Sequence, residues 1–197
     1  MPSLLPLFHD LEDQPVLVLG AGLVALEKLE KLVHTGARLL VIARAARPEA
    51  SEFMAAHHIA LQLRSWDVQD LSAAKLVIAA LNDPDQHQKL KAAARAAGVL
   101  LNCVDDRAAC DFYFSAQVER GPLQIAISTR GVFPGVARSI RLWLEELLPE
   151  SVQPELLQLA AIRQELRTHI PDPTQRMLAL KHQLQLWIRT DLQGEKR

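Results

Sequence analysis

Cysteine is nearly absent. Cys103 and Cys110 are the only two in 197 residues, too few for the disulfide framework of a small secreted domain and not in the CxxC spacing of a zinc or redox site. Aromatic residues make up 5%, with a single tyrosine, Tyr113. The tyrosine–lysine pair four residues apart that short-chain reductases use is therefore missing, since Gln117 stands four after Tyr113. Neither charge sign is in excess. Lysine plus arginine is 22 against 23 acidic residues, for a net charge of −1, which removes the basic footprint expected of a nucleic-acid binder. Long apolar runs are lacking as well. The stretch 76–81 falls far short of the roughly 20 residues that cross a bilayer, so no membrane span is expected. The opening Met1-Pro2-Ser3-Leu4-Leu5-Pro6 lacks the basic and apolar regions of a signal peptide, and a reducing, cytoplasmic location is the expectation.

What is present is enough apolar material, 49% of the residues, to build a core and exclude disorder over the whole length. Val16-Leu17-Val18-Leu19 is a continuous apolar run of the kind buried on both faces of a parallel sheet. A helical pattern follows over 23–34 and stops at Gly36. A second buried strand is expected over 38–43, a short helix over 48–57 and a more exposed strand over 60–63. A fourth strand covers 76–80. Asn82-Asp83-Pro84 supplies a cap and an early proline for an alanine-rich helix reaching Ala97, and a fifth strand covers 99–104. Strands alternating with helices predict an α/β domain, a Rossmann-type parallel sheet with right-handed crossovers.

The pattern changes after Asp105. Residues 111–118 and 123–128 read as two strands around the turn Glu119-Arg120-Gly121-Pro122, and three helices are expected over 134–148, 154–169 and 174–190. The chain is thus divided into a Rossmann domain over residues 1–112, a small α+β region over 113–149 and a C-terminal helical region over 150–197.

The sharpest local motif is Gly20-Ala21-Gly22-Leu23-Val24-Ala25, a GxGxxA between a buried strand and a helix. The first glycine permits a tight turn, the second lets backbone approach a pyrophosphate, and the small Ala25 allows close packing of helix on strand. The acidic residue that usually holds the ribose about 20 positions on is missing. Arg44 and Ala45 stand there instead, and an arginine suits a 2′-phosphate as well as it suits solvent, so the residues alone leave NAD against NADP open. The histidines His57, His58, His87, His169 and His182 fall in polar or amphipathic helical stretches and are expected to be solvated. No HxxxH or HExxH occurs, and no metal cage is visible. Asp105-Asp106 follows the fifth strand, at the edge where ligands of open α/β sheets bind. An aspartate there is either a general base or a cap on the next turn. Ser128, Thr129, Arg130, Arg138 and Arg141 offer hydroxyls and guanidinium groups to a polyanionic ligand, or serve as caps and surface charges.

In order and spacing these motifs resemble the precorrin-2 dehydrogenase/sirohydrochlorin ferrochelatase family, which also occurs as the N-terminal module of siroheme synthase. The residues carrying the likeness are Leu5–Phe8, the 20–25 loop, Gly36-Ala37-Arg38-Leu39, Ile78-Ala79-Ala80-Leu81-Asn82-Asp83, Asn102-Cys103-Val104-Asp105 and the run 122–129. The stretch 131–149, with Pro134, Ala137-Arg138 and Leu147-Leu148-Pro149, completes it. One departure is Arg130 in the run Ser128-Thr129-Arg130-Gly131, where relatives commonly carry a second glycine.

The resemblance implies an oxidoreductase that converts the tetrapyrrole precorrin-2 to sirohydrochlorin with NAD. Bifunctional members then act as a lyase-class ferrochelatase with Fe2+ as substrate. It implies a homodimer whose central region intertwines with its partner, no nucleic acid and no membrane. The family's essential aspartate falls on Asp105. Its cofactor contacts fall on Gly20, Ala21, Gly22, Leu23, Val24, Arg44, Ala45 and Ala80, and its substrate side on Ser128, Thr129 and Arg138. In the family the cofactor is NAD even without an acid near position 44. The apolar helix positions Ile140, Leu144, Leu147 and Leu148 would meet the partner, or would cover the chain's own sheet in a self-contained fold. A rival of another class is an NAD-binding regulatory module, which shares the glycine loop but needs no strand-end aspartate.

Overall fold

The computed structural model describes residues 4–188, so the expected helix end at Thr190 lies outside the described residues. The chain divides into two compact units, Met1–Tyr113 and Phe114–Arg197.

In the first unit, β1 (Pro15–Ala21), β2 (Arg38–Ala46), β3 (Ala60–Leu63), β4 (Leu76–Ala79) and β5 (Leu100–Cys103) form one sheet in the order β3-β2-β1-β4-β5. All pairings are parallel. Helices α1 (Leu23–Leu32), α2 (Pro48–Ala56) and α3 (Pro84–Ala97) make the crossovers. Strand order reverses between β1 and β4, which is the switch point of a doubly wound fold. Leu17, Leu19, Ile42, Val77, Leu90 and Leu101 build the core, as continuous apolar runs require when both faces of a sheet are covered.

Helix α3 starts where its sequence signals it. The Asp83 carboxylate accepts from the amides of Asp85 and Gln86, Pro84 occupies the first turn, and Gly98 closes the helix in the left-handed conformation, as capping chemistry dictates.

The second unit contains a two-stranded antiparallel sheet, β6 (Ala116–Arg120) and β7 (Leu123–Ile127), followed by α4 (Pro134–Leu147), α5 (Gln153–His169) and α6 (Pro173–Trp187). Arg120 pairs with Leu123, so the hairpin turn is the two residues Gly121-Pro122. Gly121 has φ +57°, and with proline's fixed negative φ next to it this is the geometry of a II′ turn.

The strand expected from residue 111 begins only at Ala116. Residues 111 and 112 are engaged with β5 instead: the Asp111 amide donates to the Leu101 carbonyl at 2.7 Å. The Asp111 carboxylate accepts from the Leu101 amide at 3.0 Å, and Asn102 Nδ2 donates to the Phe112 carbonyl at 2.8 Å. Leu148 is 7% exposed, buried by the chain itself, and its carbonyl accepts from Arg120 Nε at 2.6 Å. The exposed apolar stripe of α4 is instead Val136, Ile140, Trp143 and Leu147, spaced to share one helix face.

Candidate functional site

At the end of β1 the chain must pass very close to β4. A Cβ on Gly20 would stand 2.4 Å from the Ala80 carbonyl oxygen, and Gly20 has φ +105°, so only glycine fits. The neighbouring Gly22 serves another purpose. A Cβ there would meet nothing within 4 Å, and Gly22 caps α1 without any side-chain bond. The first turn of α1 carries no acidic residue. Its amide groups and the positive end of its dipole therefore face open space, where the two phosphates of a dinucleotide fit. Ala25 is fully buried, which lets α1 lie close against β1.

The other expected cofactor residues gather along the same edge. Arg44 and Ala45 are exposed near the end of β2, and that end is tied to the glycine loop because the Arg47 amide donates to the Ala21 carbonyl at 3.0 Å. Ala80 faces Gly20 across the switch point. Ala79 of β4 is in register with Cys103 of β5, so Asp105 leaves the sheet on this edge too, about 10 Å from β1 at two strand spacings.

The two adjacent aspartates have different surroundings. Asp105 is exposed and takes φ +64°, a left-handed conformation that aspartate tolerates better than most residues. Among the described residues its carboxylate makes no hydrogen bond or ion pair, and it is open to solvent. Asp106 caps the 3-10 turn Arg107–Ala109 by accepting from the Ala109 amide, and its other oxygen lies 3.6 Å from His87 Nδ1. The capping role considered for the pair thus belongs to Asp106.

His87 is the main residue that the sequence misplaced. It is 6% exposed, not solvated, and its Nε2 lies 2.8 Å from the Leu81 carbonyl. The signal was its position: His87, Leu90 and Ala94 share the buried face of α3.

Behind Asp105, the Cys110 thiol donates toward the carbonyls of Cys103 (3.0 Å) and Asp106 (3.2 Å) and accepts from the Cys103 amide at 3.2 Å. Burial pushes the Cys103 thiol up to about 12 and raises Cys110 as well. Both therefore stay protonated near neutrality and are not poised as nucleophiles, since the thiolate is the reactive form. No group of three histidine, cysteine or acidic side chains is placed to hold a metal among the described residues.

Ser128, Thr129 and Arg138 belong to the second unit. Ser128 Oγ accepts from the Arg130 amide at 3.1 Å, Arg130 has φ +56° where a glycine would be unstrained, and Arg138 is exposed on α4.

The sheet order, the glycine turn at the switch point and the uncapped helix start define a Rossmann-type dinucleotide-binding fold. The chain belongs to the family described as "Putative NAD(P)-binding", which it matches over residues 7–116. It is similar to the siroheme synthase of Ectopseudomonas mendocina (strain ymp), 43% identical over 145 residues, or 74% of this chain and 31% of that protein. The siroheme synthase of Methylococcus capsulatus is 36% identical over 173 residues, 87% of this chain and 36% of the relative. Siroheme synthase 1 of Serratia proteamaculans is 33% identical over 186 residues, 94% and 38% respectively. The chain thus spans about a third of the length of these curated relatives. Its fold is also that of SirC, precorrin-2 dehydrogenase, with a TM-score of 0.66 at 24% identity over 93% of this chain and 98% of that one.

Proposed function

We propose that the protein dehydrogenates precorrin-2 to sirohydrochlorin with NAD, as the corresponding part of siroheme synthase. The observation that carries this reading is the placing of Asp105. Its carboxylate is solvent-open and held on a strained backbone at the carboxyl edge of the sheet, on the β4–β5 side of the dinucleotide cradle. The kinship with siroheme synthases over most of the chain supports the substrate class.

NAD bound there supplies a hydride acceptor. Gly20, Gly22 and the α1 amides hold its phosphates, and Ala21, Leu23, Val24, Arg44, Ala45 and Ala80 line the same edge. Asp105 takes up the proton that the macrocycle releases as it is oxidised, the work of a general base. Fe2+ insertion, where Fe2+ is substrate, also displaces protons from the macrocycle, so the same carboxylate suits that step. Ser128, Thr129 and Arg138 are suited to the carboxylates of the tetrapyrrole, since guanidinium groups bind carboxylates strongly.

The functional form in this reading is a homodimer. The exposed stripe of Val136, Ile140, Trp143 and Leu147 on α4 needs cover, which a second copy would supply. Two free cysteines fit the reducing cytoplasm. Among the described residues no helix is long and apolar enough to cross a membrane.

The test is Asp105→Ala in the full chain, assayed by the visible spectrum of sirohydrochlorin formed from precorrin-2 and NAD. Turnover should fall by at least ~10²-fold, the usual loss with a general base, while NAD affinity and folding persist. A regulatory module would bind NAD and give no product with either chain, and near-parent turnover by the variant would remove Asp105 from the chemistry.

A further inference from the structure

We propose that His87 is a positioning residue for Asp105, acting through Asp106; this rests on the reading of Asp105 as the proton acceptor. Asp105 holds a left-handed backbone conformation that an L-residue keeps only when its surroundings over-determine it. The chain must therefore be anchored on both sides of it.

Before Asp105 the anchor is the sheet, through β5 and the Val104 amide, which donates to the Ala79 carbonyl at 2.9 Å. After it the anchor is Asp106, and His87 connects Asp106 to the end of β4. The Leu81 carbonyl can only accept, so the hydrogen on Nε2 of His87 points to it over 2.8 Å. The opposite nitrogen, Nδ1, then faces the Asp106 carboxylate at 3.6 Å, within ion-pairing distance. One buried ring thus joins the loop after β4 to the loop after β5.

Lys91, one turn further along α3, reinforces the clamp by donating to the Ala108 carbonyl. Helix α3 therefore grips the 3-10 turn at two points spaced by one helical turn, and Asp105 lies immediately before the gripped segment. His87 is buried, and the Asp106 carboxylate is engaged by the Ala109 amide and His87. They act by fixing where the neighbouring carboxylate stands.

The two arms of the clamp can be separated. Asp106→Asn keeps a side-chain oxygen for the Ala109 amide and removes the charge facing His87. His87→Leu removes both nitrogens at similar bulk, and His87→Asn restores a donor near the position of Nδ1. Precorrin-2 turnover, KM for precorrin-2, NAD affinity and thermal melting are measured on each variant and on the His87→Leu/Asp106→Asn double variant, in the full chain.

The expected result is a kcat lowered on the order of 10- to 100-fold by His87→Leu, the scale of a misplaced catalytic group. NAD affinity should stay within about twofold, and His87→Asn should recover much of the loss. The double variant should be little worse than His87→Leu alone, because residues acting through one contact are not additive. Turnover by His87→Leu within about twofold of the parent overturns the inference. So does a loss that tracks melting temperature and is not rescued by His87→Asn, since that marks a packing role only. If Asp105→Ala abolishes turnover while His87→Leu does not, the inference falls and the reading of Asp105 stands. If Asp105→Ala retains turnover, both fall.

Discussion

In the first unit Leu17, Ile78 and Leu101 are sealed between sheet and helices. In the second, Val118, Ala137, Leu148 and Val152 are the buried apolar residues among those described. Helices α5 and α6 bury no residue fully, and Leu157, Met177 and Leu178 are more than half exposed. The first unit resembles a finished domain, with a core formed by its own crossovers. The second carries apolar faces that its own elements leave open. That contrast separates what the chain can stabilise alone from what it leaves for assembly.

The contrast should be plainest in stability. Leu101→Ala removes a fully buried side chain and should cost about 2–5 kcal/mol, read as a lower denaturant midpoint. Leu157→Ala on α5 should stay within about 0.5 kcal/mol in a monomeric sample, as surface substitutions do. Equal costs would mean that the second unit has an interior of its own.

A smaller effect on folding, but a decisive one on assembly, is expected from Trp143→Asp. Trp143 is 60% exposed at the centre of the α4 stripe, and a carboxylate there would be desolvated in any interface. Sedimentation at micromolar concentration should move from dimer to monomer, with NAD affinity of the first unit within about twofold. A parent chain that already sediments at 21.9 kDa would sink the dimer.

The smallest effect concerns surface charge. Arg64 hydrogen-bonds Asp70 at 2.6 and 2.7 Å, and this contact holds the Asp70 carboxyl below its ordinary value of 3.8. A lowered folded-state value stabilises the protein above the unfolded value, and the contribution fades as pH falls through the folded one. Asp70→Asn should therefore lower the melting temperature slightly at pH 7, and the difference should shrink below pH 3.8. An undiminished difference in acid would assign the effect to the cap that Asp70 forms with the Asp67 amide.

The alternation in the first unit was open to reading because each level of the sequence agrees. Val16 to Leu19 is apolar throughout, Gly20 ends it, and Asp83-Pro84 opens α3 by capping chemistry alone. The glycine loop and Asp105 were legible for the same reason, since both depend on where a strand stops. The role of His87 was not, because its partner Asp106 lies 19 residues on and only the fold brings them together. The start of β6 was misjudged for a related cause. Residues 111–115 look like strand, but Asp111 and Phe112 find their partners on β5, and that competition is tertiary. On α4, the helical period was readable while the direction of each face was not, so Leu148 was left between a partner and the chain's own sheet until the fold buried it.

The bonds of Asp111 and Phe112 to β5 bear on how the first unit could be cut out or made. β5 is the outermost strand on its side, and an uncovered edge offers unpaired amides and carbonyls to any passing strand. Here the connecting segment itself shields that edge, with both Leu101 backbone groups occupied by Asp111. A fragment stopped at Cys110 would contain all five strands yet leave a sticky rim, whereas one carried through Tyr113 would bring its own guard. On a ribosome, the sheet likewise stays vulnerable until those last residues have emerged.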